Sequence, residues 1–145
     1  MPRATLVLIL MLPIFVIALV AAERRGFADE PAVDEAMKHH QKAFAHEAAG
    51  RWLDAAEEYT AAIKLRPNQA SLYDRRGGVY FKLGEIEKSL ADFDKAIELN
   101  PALEEDHWRR GISLYYAGRF AEGSAQFELG KSVYANDVEN AVWRF

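Results

Sequence analysis

Residues 34 positions apart along this chain keep the same size and chemistry. With Ala36, Ala70 and Glu104 as unit starts, Gly50, Gly84 and Gly118 fall in one column, and Pro67 and Pro101 in another. Three columns are small: Ala43, Gly77 and Gly111; Ala55, Ser89 and Gly123; Ala62, Ala96 and Gly130. Tyr59, Phe93 and Phe127 are aromatic in register, and Trp52, Ile86 and Phe120 are large and apolar in register. Seven columns on one period define a solenoid, in which each short unit buries its apolar face only by stacking on the next.

Each unit reads as two helices joined at its glycine, because glycine reaches the left-handed helix-ending conformation without a side-chain clash. The small columns let paired helices approach closely, and the large columns fill the space between units. Pro67 and Pro101 stop the second helix of their units, since proline cannot continue one. The spacing predicts helices over 33–48, 52–65, 70–82, 86–99, 104–117 and 120–133, with a seventh starting near Asp137, an N-cap type of residue.

This pattern resembles the tetratricopeptide-repeat (TPR) family, most closely in the middle unit through Tyr73, Gly77, Tyr80, Gly84, Ser89, Phe93, Ala96 and Pro101. The first unit departs with His39 and His46 where the family favours large aromatics. The third departs with Gly123, Gly130 and Ala135. A narrower likeness, from Arg110 to Arg119 with Asn136, Asp137 and Trp143, is to the last repeat of bacterial-envelope TPR adaptor lipoproteins. The resemblance implies an all-α fold: a right-handed helix-turn-helix solenoid of three TPR units with a short C-terminal helix, after an N-terminal apolar signal segment. The expected divisions are 1–22 as signal peptide or anchor, 23–33 as linker, 34–137 as three units (36–69, 70–103 and 104–137) and 138–145 as a short capping helix.

The expected leader rests on Arg3 followed by Leu6 to Ala22, 17 uncharged residues broken only by Pro13. Small residues at Ala18, Ala21, Ala22 and Ala28 supply cleavage positions, the last as late as 28. The run sits at the short limit for spanning a bilayer, and Arg24 and Arg25 follow it, so a cleaved signal peptide and an uncleaved anchor both stay open. Either implies export to the periplasm or cell envelope.

Composition narrows the chemistry. The chain has no cysteine, which removes disulfides, thiol catalysis, thiolate metal sites and a lipidation cysteine. Its 18 basic and 22 acidic residues leave a net −4 over 145 residues, a poor basis for nucleic-acid binding. His39, His40 and His46 lie near Glu35 and Glu47 without ligand-spacing motifs, and His39, His46 and His107 fall in packing columns. No carboxylate pair sits beside a nucleophile. The expectation is therefore a non-enzyme without metal or cofactor.

In a TPR stack the first helix of each unit lines a concave groove. The resemblance and helical periodicity together point outward Met37, His40, Phe44, Glu47 and Ala48; Ser71, Asp74, Gly78, Phe81 and Lys82; and Glu105, Trp108, Ile112, Tyr115 and Tyr116. From these come the expected partner-binding residues Phe44, Phe81, Trp108, Ile112, Tyr115 and Tyr116, aromatic anchors being common at interfaces. Arg75 and Arg109 join them as groove cations able to grip an acidic partner. Against that stands internal ion pairing of Arg75, Arg76, Arg109 and Arg110. Slots that carry Lys and Asn in TPR domains clamping a chaperone's terminal carboxylate hold His40, Phe44 and Glu105, so no such clamp is expected. The implied partner is a protein or peptide, with membrane contact only through an uncleaved leader. The alternative is a self-assembling structural module. For Val138 to Phe145 three roles compete: a lid on the third unit, a contact edge, or part of a longer array.

Overall fold

The computed structural model describes residues 31–130. Helix α1 occupies residues 31–48, followed by α2 (Trp52–Leu65), α3 (Ala70–Lys82) and α4 (Ile86–Leu99). A 3-10 turn (Pro101–Leu103) precedes α5 (Trp108–Tyr116) and α6 (Phe120–Leu129). The helices form three antiparallel pairs. α3 packs against both α2 and α4, and α4 against α5, so the middle pair joins the outer two.

The glycine column ends the first helix of each pair as its backbone requires. Gly50, Gly84 and Gly118 have φ of +69°, +76° and +76°, and no other described residue has positive φ. A Cβ at any of the three would meet open space, so the dihedral and not packing excludes other residues. The same closing hydrogen bond recurs three times at 2.9 Å: Arg51 N–H to the His46 carbonyl, Glu85 to Tyr80, and Arg119 to Leu114. This bond reaches back from just beyond the glycine into the last helical turn and satisfies a carbonyl that would otherwise be orphaned.

Within each pair the small column meets the aromatic one. A Cβ on Gly77 would lie 2.7 Å from the Phe93 ring, and one on Gly111 would lie 2.8 Å from the Phe127 ring. Tyr59, Phe93 and Phe127 are buried, with Leu72, Val79, Leu90 and Leu114 completing the core. Burying one such side chain contributes about 1.5–3 kcal/mol.

Two arginines bolt the stack in a way the apolar pattern does not reveal. Arg76 donates two 2.7 Å bonds to the Asp92 carboxylate and one of 2.9 Å to the Thr60 hydroxyl. Arg110, one repeat later, donates to Gln126 (2.9 Å) and Asp94 (2.7 Å). Each reaches 16 residues forward into its own second helix and 16 back into the preceding pair. The Asp92 bonds, outweighing partial burial, hold the Arg76 guanidinium above its ordinary pKa.

Tyr59 carries the one polar atom of the aromatic column. Burial, with its hydroxyl donating to Glu47, raises its pKa well above the ordinary value of 10.0. The fold therefore keeps a proton that the unfolded chain releases near pH 10. Stability should hold below about pH 10 and fall as pH rises further. Urea titrations from pH 8 to 11 check this: Tyr59→Phe should flatten the alkaline decline, and an unchanged slope would count against it.

Three features differ from the sequence reading. The fold is an all-α, TPR-like solenoid, and the apolar signal segment expected to head it is corrected: no helix among the described residues is long and apolar enough to cross a membrane. Residues 1–22, the cut near 28 and the linker up to 30 lie outside the described residues, whereas 31–33 form the first described turn of α1. Second, the helix expected over 104–117 starts at Trp108. The Asn100 side chain accepts from the Ala102 N–H, Pro101 opens a 3-10 turn, and His107 caps α5 through Nδ1, which accepts from the Arg110 N–H at 3.3 Å. Third, the sixth helix ends at Leu129 instead of 133. Asp137 and the expected short helix and contact edge at 138–145 lie outside the described residues.

Candidate functional site

The first helices of the three pairs line a groove of about 520 Å³. Phe44, Glu47 and Ala48 come from α1, Arg75, Gly78, Phe81 and Lys82 from α3, and Trp108, Arg109 and Ile112 from α5. Trp52 and Phe93 reach it from the second helices. On α3, positions 75, 78 and 82 are three and four apart and so share one stripe. Trp108 and Ile112, four apart on α5, form the facing wall.

Six of the eight residues singled out for partner binding converge here: Phe44, Arg75, Phe81, Trp108, Arg109 and Ile112. Phe44 and Trp108 are about half exposed, at 55% and 45%, although both are large and apolar. Tyr115 and Tyr116 do not line the groove. Near the end of α5 they continue an edge-to-face series from Phe81, with Phe81–Tyr116 at 5.5 Å, Tyr116–Tyr115 at 5.9 Å and Tyr115–Phe120 at 5.2 Å. Met37, His40, Ser71, Asp74 and Glu105 also point elsewhere. Glu105 lies in the turn before α5, and His40 tilts against Tyr59 at 5.9 Å. Trp52 and Phe93 stood in packing columns of the repeat, which hid their groove edges from a reading confined to first helices.

The groove charges are unequal in their commitments. Arg109 donates to Asp74 Oδ2 at 2.5 Å and lies over the Phe93 ring at 5.8 Å. His107, buried between Phe93 and Asp74, places Nε2 3.1 Å from Asp74 Oδ1. Its Nδ1 is an acceptor, so in the neutral ring Nε2 carries the proton, although the approach is too poorly aligned to satisfy it fully. Burial alone would raise the Asp74 pKa, but the His107 and Arg109 contacts outweigh it and hold the carboxyl below its ordinary range. Arg75 lies over the Phe44 ring at 5.8 Å, and neither it nor Lys82 has an ion pair among the described residues. Glu47, the acid in the lining, accepts from the Tyr59 hydroxyl.

Among the described residues no group of three or more His, Cys, Asp or Glu could hold a metal ion. His39 is engaged instead by Glu58, at 2.5 Å from Nδ1.

Residues 73–103 match the model of the tetratricopeptide repeat. The chain carries a tetratricopeptide-repeat domain. The TPR domain is 37% identical over 83 residues to Protein SGT1 homolog of Oryza sativa subsp. japonica, which covers 57% of this chain. It is 25% identical over 117 residues to the Hsp70-Hsp90 organizing protein of Triticum aestivum, covering 81% of the chain. The chain spans only 23% and 20% of those two proteins. Among solved structures it is similar to the Arabidopsis OM64 TPR domain, with TM-score 0.71, 22% identity, and 77% and 93% of the two chains covered. It is equally similar to the first TPR of Spaghetti (RPAP3) bound to an HSP90 peptide, with TM-score 0.71, 20% identity, and 77% and 89% covered.

The domain is a TPR scaffold of the kind those relatives carry. The same matches correct the expected location. Export to a periplasm or cell envelope, with residues 6–22 as anchor, rested on the leader pattern and on the likeness to envelope lipoproteins. The two relatives above are instead plant proteins, named as an SGT1 homologue and an Hsp70-Hsp90 organizing protein.

Proposed function

We propose that this domain, with repeats at 36–69, 70–103 and 104–137, captures an extended segment of a partner protein along the first-helix groove, with Phe44, Phe81, Trp108 and Ile112 as apolar anchors and Arg75 and Arg109 as polar ones. The observation that carries this reading is the groove itself: about 520 Å³ between three helices, walled by large apolar side chains left half in water. A fold gains nothing by leaving such rings exposed, and grouped exposed apolar surface marks interaction sites. Tyr115 and Tyr116 take a secondary part, extending the aromatic surface beyond the groove's end through Phe81.

Two peptides bound to similar TPR domains, SRMEEVD and SGPTIEEVD, are the natural first probes. Each, fluorescently labelled, should bind saturably when followed by anisotropy. Trp108→Ala should weaken binding about tenfold or more, as loss of a buried anchor does. Tyr115→Ala should change it by less than about threefold, being at most a rim contact. Circular dichroism should be unaltered in both variants. Equal losses for the two, or none for Trp108→Ala, would refute the assignment of the anchors.

A further inference from the structure

Helix α3 holds two adjacent glycines in its interior, Gly77 and Gly78, where glycine weakens a helix relative to alanine. The structure accounts for the first, since a Cβ there would collide with Phe93 at 2.7 Å. Nothing in the fold requires the second. Gly78 has no positive φ, and a Cβ on it would meet one atom within 4 Å, Arg109 Nη1 at 3.4 Å, an ordinary van der Waals contact.

What Gly78 does is leave a gap in the groove wall. Arg75 lies one turn before it and Lys82 one turn after, so the stripe reads cation, gap, cation. Among the described residues those two cations have no ion pair, whereas Arg109 is held by Asp74 and Glu47 by Tyr59. Phe81 and Trp108 line the same groove. We infer that the groove selects a partner segment that seats a bulky apolar side chain over Gly78, flanked by side-chain carboxylates that meet Arg75 and Lys82. This rests on the peptide-binding reading above and deepens it by naming the partner's chemistry: an acid–apolar–acid stretch recognised by its side chains.

The test is an array of dodecapeptides, acetylated and amidated at their ends, that embeds Glu-Phe-Glu, Glu-Leu-Glu, Glu-Ala-Glu, Gln-Phe-Gln and Lys-Phe-Lys triplets in varied flanks. A parallel set ends in a free carboxylate, and hits are re-measured by anisotropy. The capped Glu-Phe-Glu and Glu-Leu-Glu peptides should bind at least tenfold more tightly than the other three triplets, with little gain from a free carboxylate. Gly78→Ala should weaken them at least tenfold while raising the thermal midpoint by ~4–8 °C, because the added methyl strengthens the helix as it fills the gap. Binding that Gly78→Ala leaves unchanged, that follows the free carboxylate, or that favours Lys-Phe-Lys would overturn this inference and leave the groove reading standing. A lowered midpoint in Gly78→Ala would overturn it too, by revealing a packing role. Wild-type protein that binds no peptide in either set would sink the groove reading as well.

Discussion

Asp92→Ala should cost the domain about 3–5 kcal/mol of stability, because it strands the Arg76 guanidinium between helix pairs without its carboxylate. The Arg76 side chain is 15% exposed and that of Asp92 8%, so water cannot replace the lost partner at little cost. Arg76 also ties Asp92 to Thr60 of the preceding pair, and the loss loosens both. Arg76→Leu alone should cost a similar amount, by leaving the carboxylate buried and unpaired. The double variant Arg76→Leu/Asp92→Leu should return to within about 1–2 kcal/mol of the wild type, since an apolar pair of similar volume often replaces a buried ion pair. Urea denaturation of the wild type, Arg76→Leu, Asp92→Leu and the double variant, followed by circular dichroism, gives the coupling directly. Additive single losses with no recovery in the double variant would mean that the side chains contribute packing alone.

Gly77→Leu should destabilise by about 3 kcal/mol, the upper end for overpacking a filled core. Its Cβ alone would fall 2.7 and 2.8 Å from two atoms of the Phe93 ring and 3.2 Å from the Ser89 carbonyl oxygen. The ring is fully buried, so it can move only by shifting its packed neighbours. Leucine's better helix propensity returns at most about 1 kcal/mol. Phe93→Ala, which opens a cavity, should cost about 3–5 kcal/mol by itself. Combined with Gly77→Leu it should cost clearly less than the sum, because the new side chain occupies part of the space the ring vacates. Thermal and urea unfolding of the cycle check this. Gly77→Leu and Gly78→Ala should move the thermal midpoint in opposite directions, although the positions are neighbours.

The small and the aromatic columns were legible before any coordinates, because packing repeats when the chain repeats, but that Phe93 and Phe127 each sit on a small residue of their own pair came only from the structure. The Gly50, Gly84 and Gly118 turns were legible for the same reason, each being set by a local dihedral. Groove residues were legible in part from helix phase, although Met37, His40, Ser71 and Asp74, on helices that formed as expected, do not line the groove. Phe44, Phe81, Trp108 and Ile112 all line the groove, whereas Glu105 does not, because His107 caps α5 and leaves residue 105 in a turn. Tyr115 and Tyr116 have a groove-like spacing from Trp108, but ring contacts near the end of their helix draw them onto Phe81 and Phe120. Internal pairing of the arginines was foreseeable as a class, but which arginine takes which role was not legible. Four arginines in two Arg-Arg pairs look alike as text, yet Arg76 and Arg110 bolt helix pairs together, Arg109 is held by Asp74, and Arg75 has no ion pair among the described residues.

The sequence by itself determined the period, the six described helices in their order, the glycine turns and the columns of small and of aromatic residues. These depend on dihedral limits and on volumes that recur at fixed spacing along the chain. Only the tertiary structure decided which charges are spent inside the stack, where the third unit begins, and which exposed rings face one groove. Those outcomes depend on distances between residues 16 to 35 positions apart, such as Arg76 with Asp92 and Arg109 with Asp74, and no local pattern encodes them.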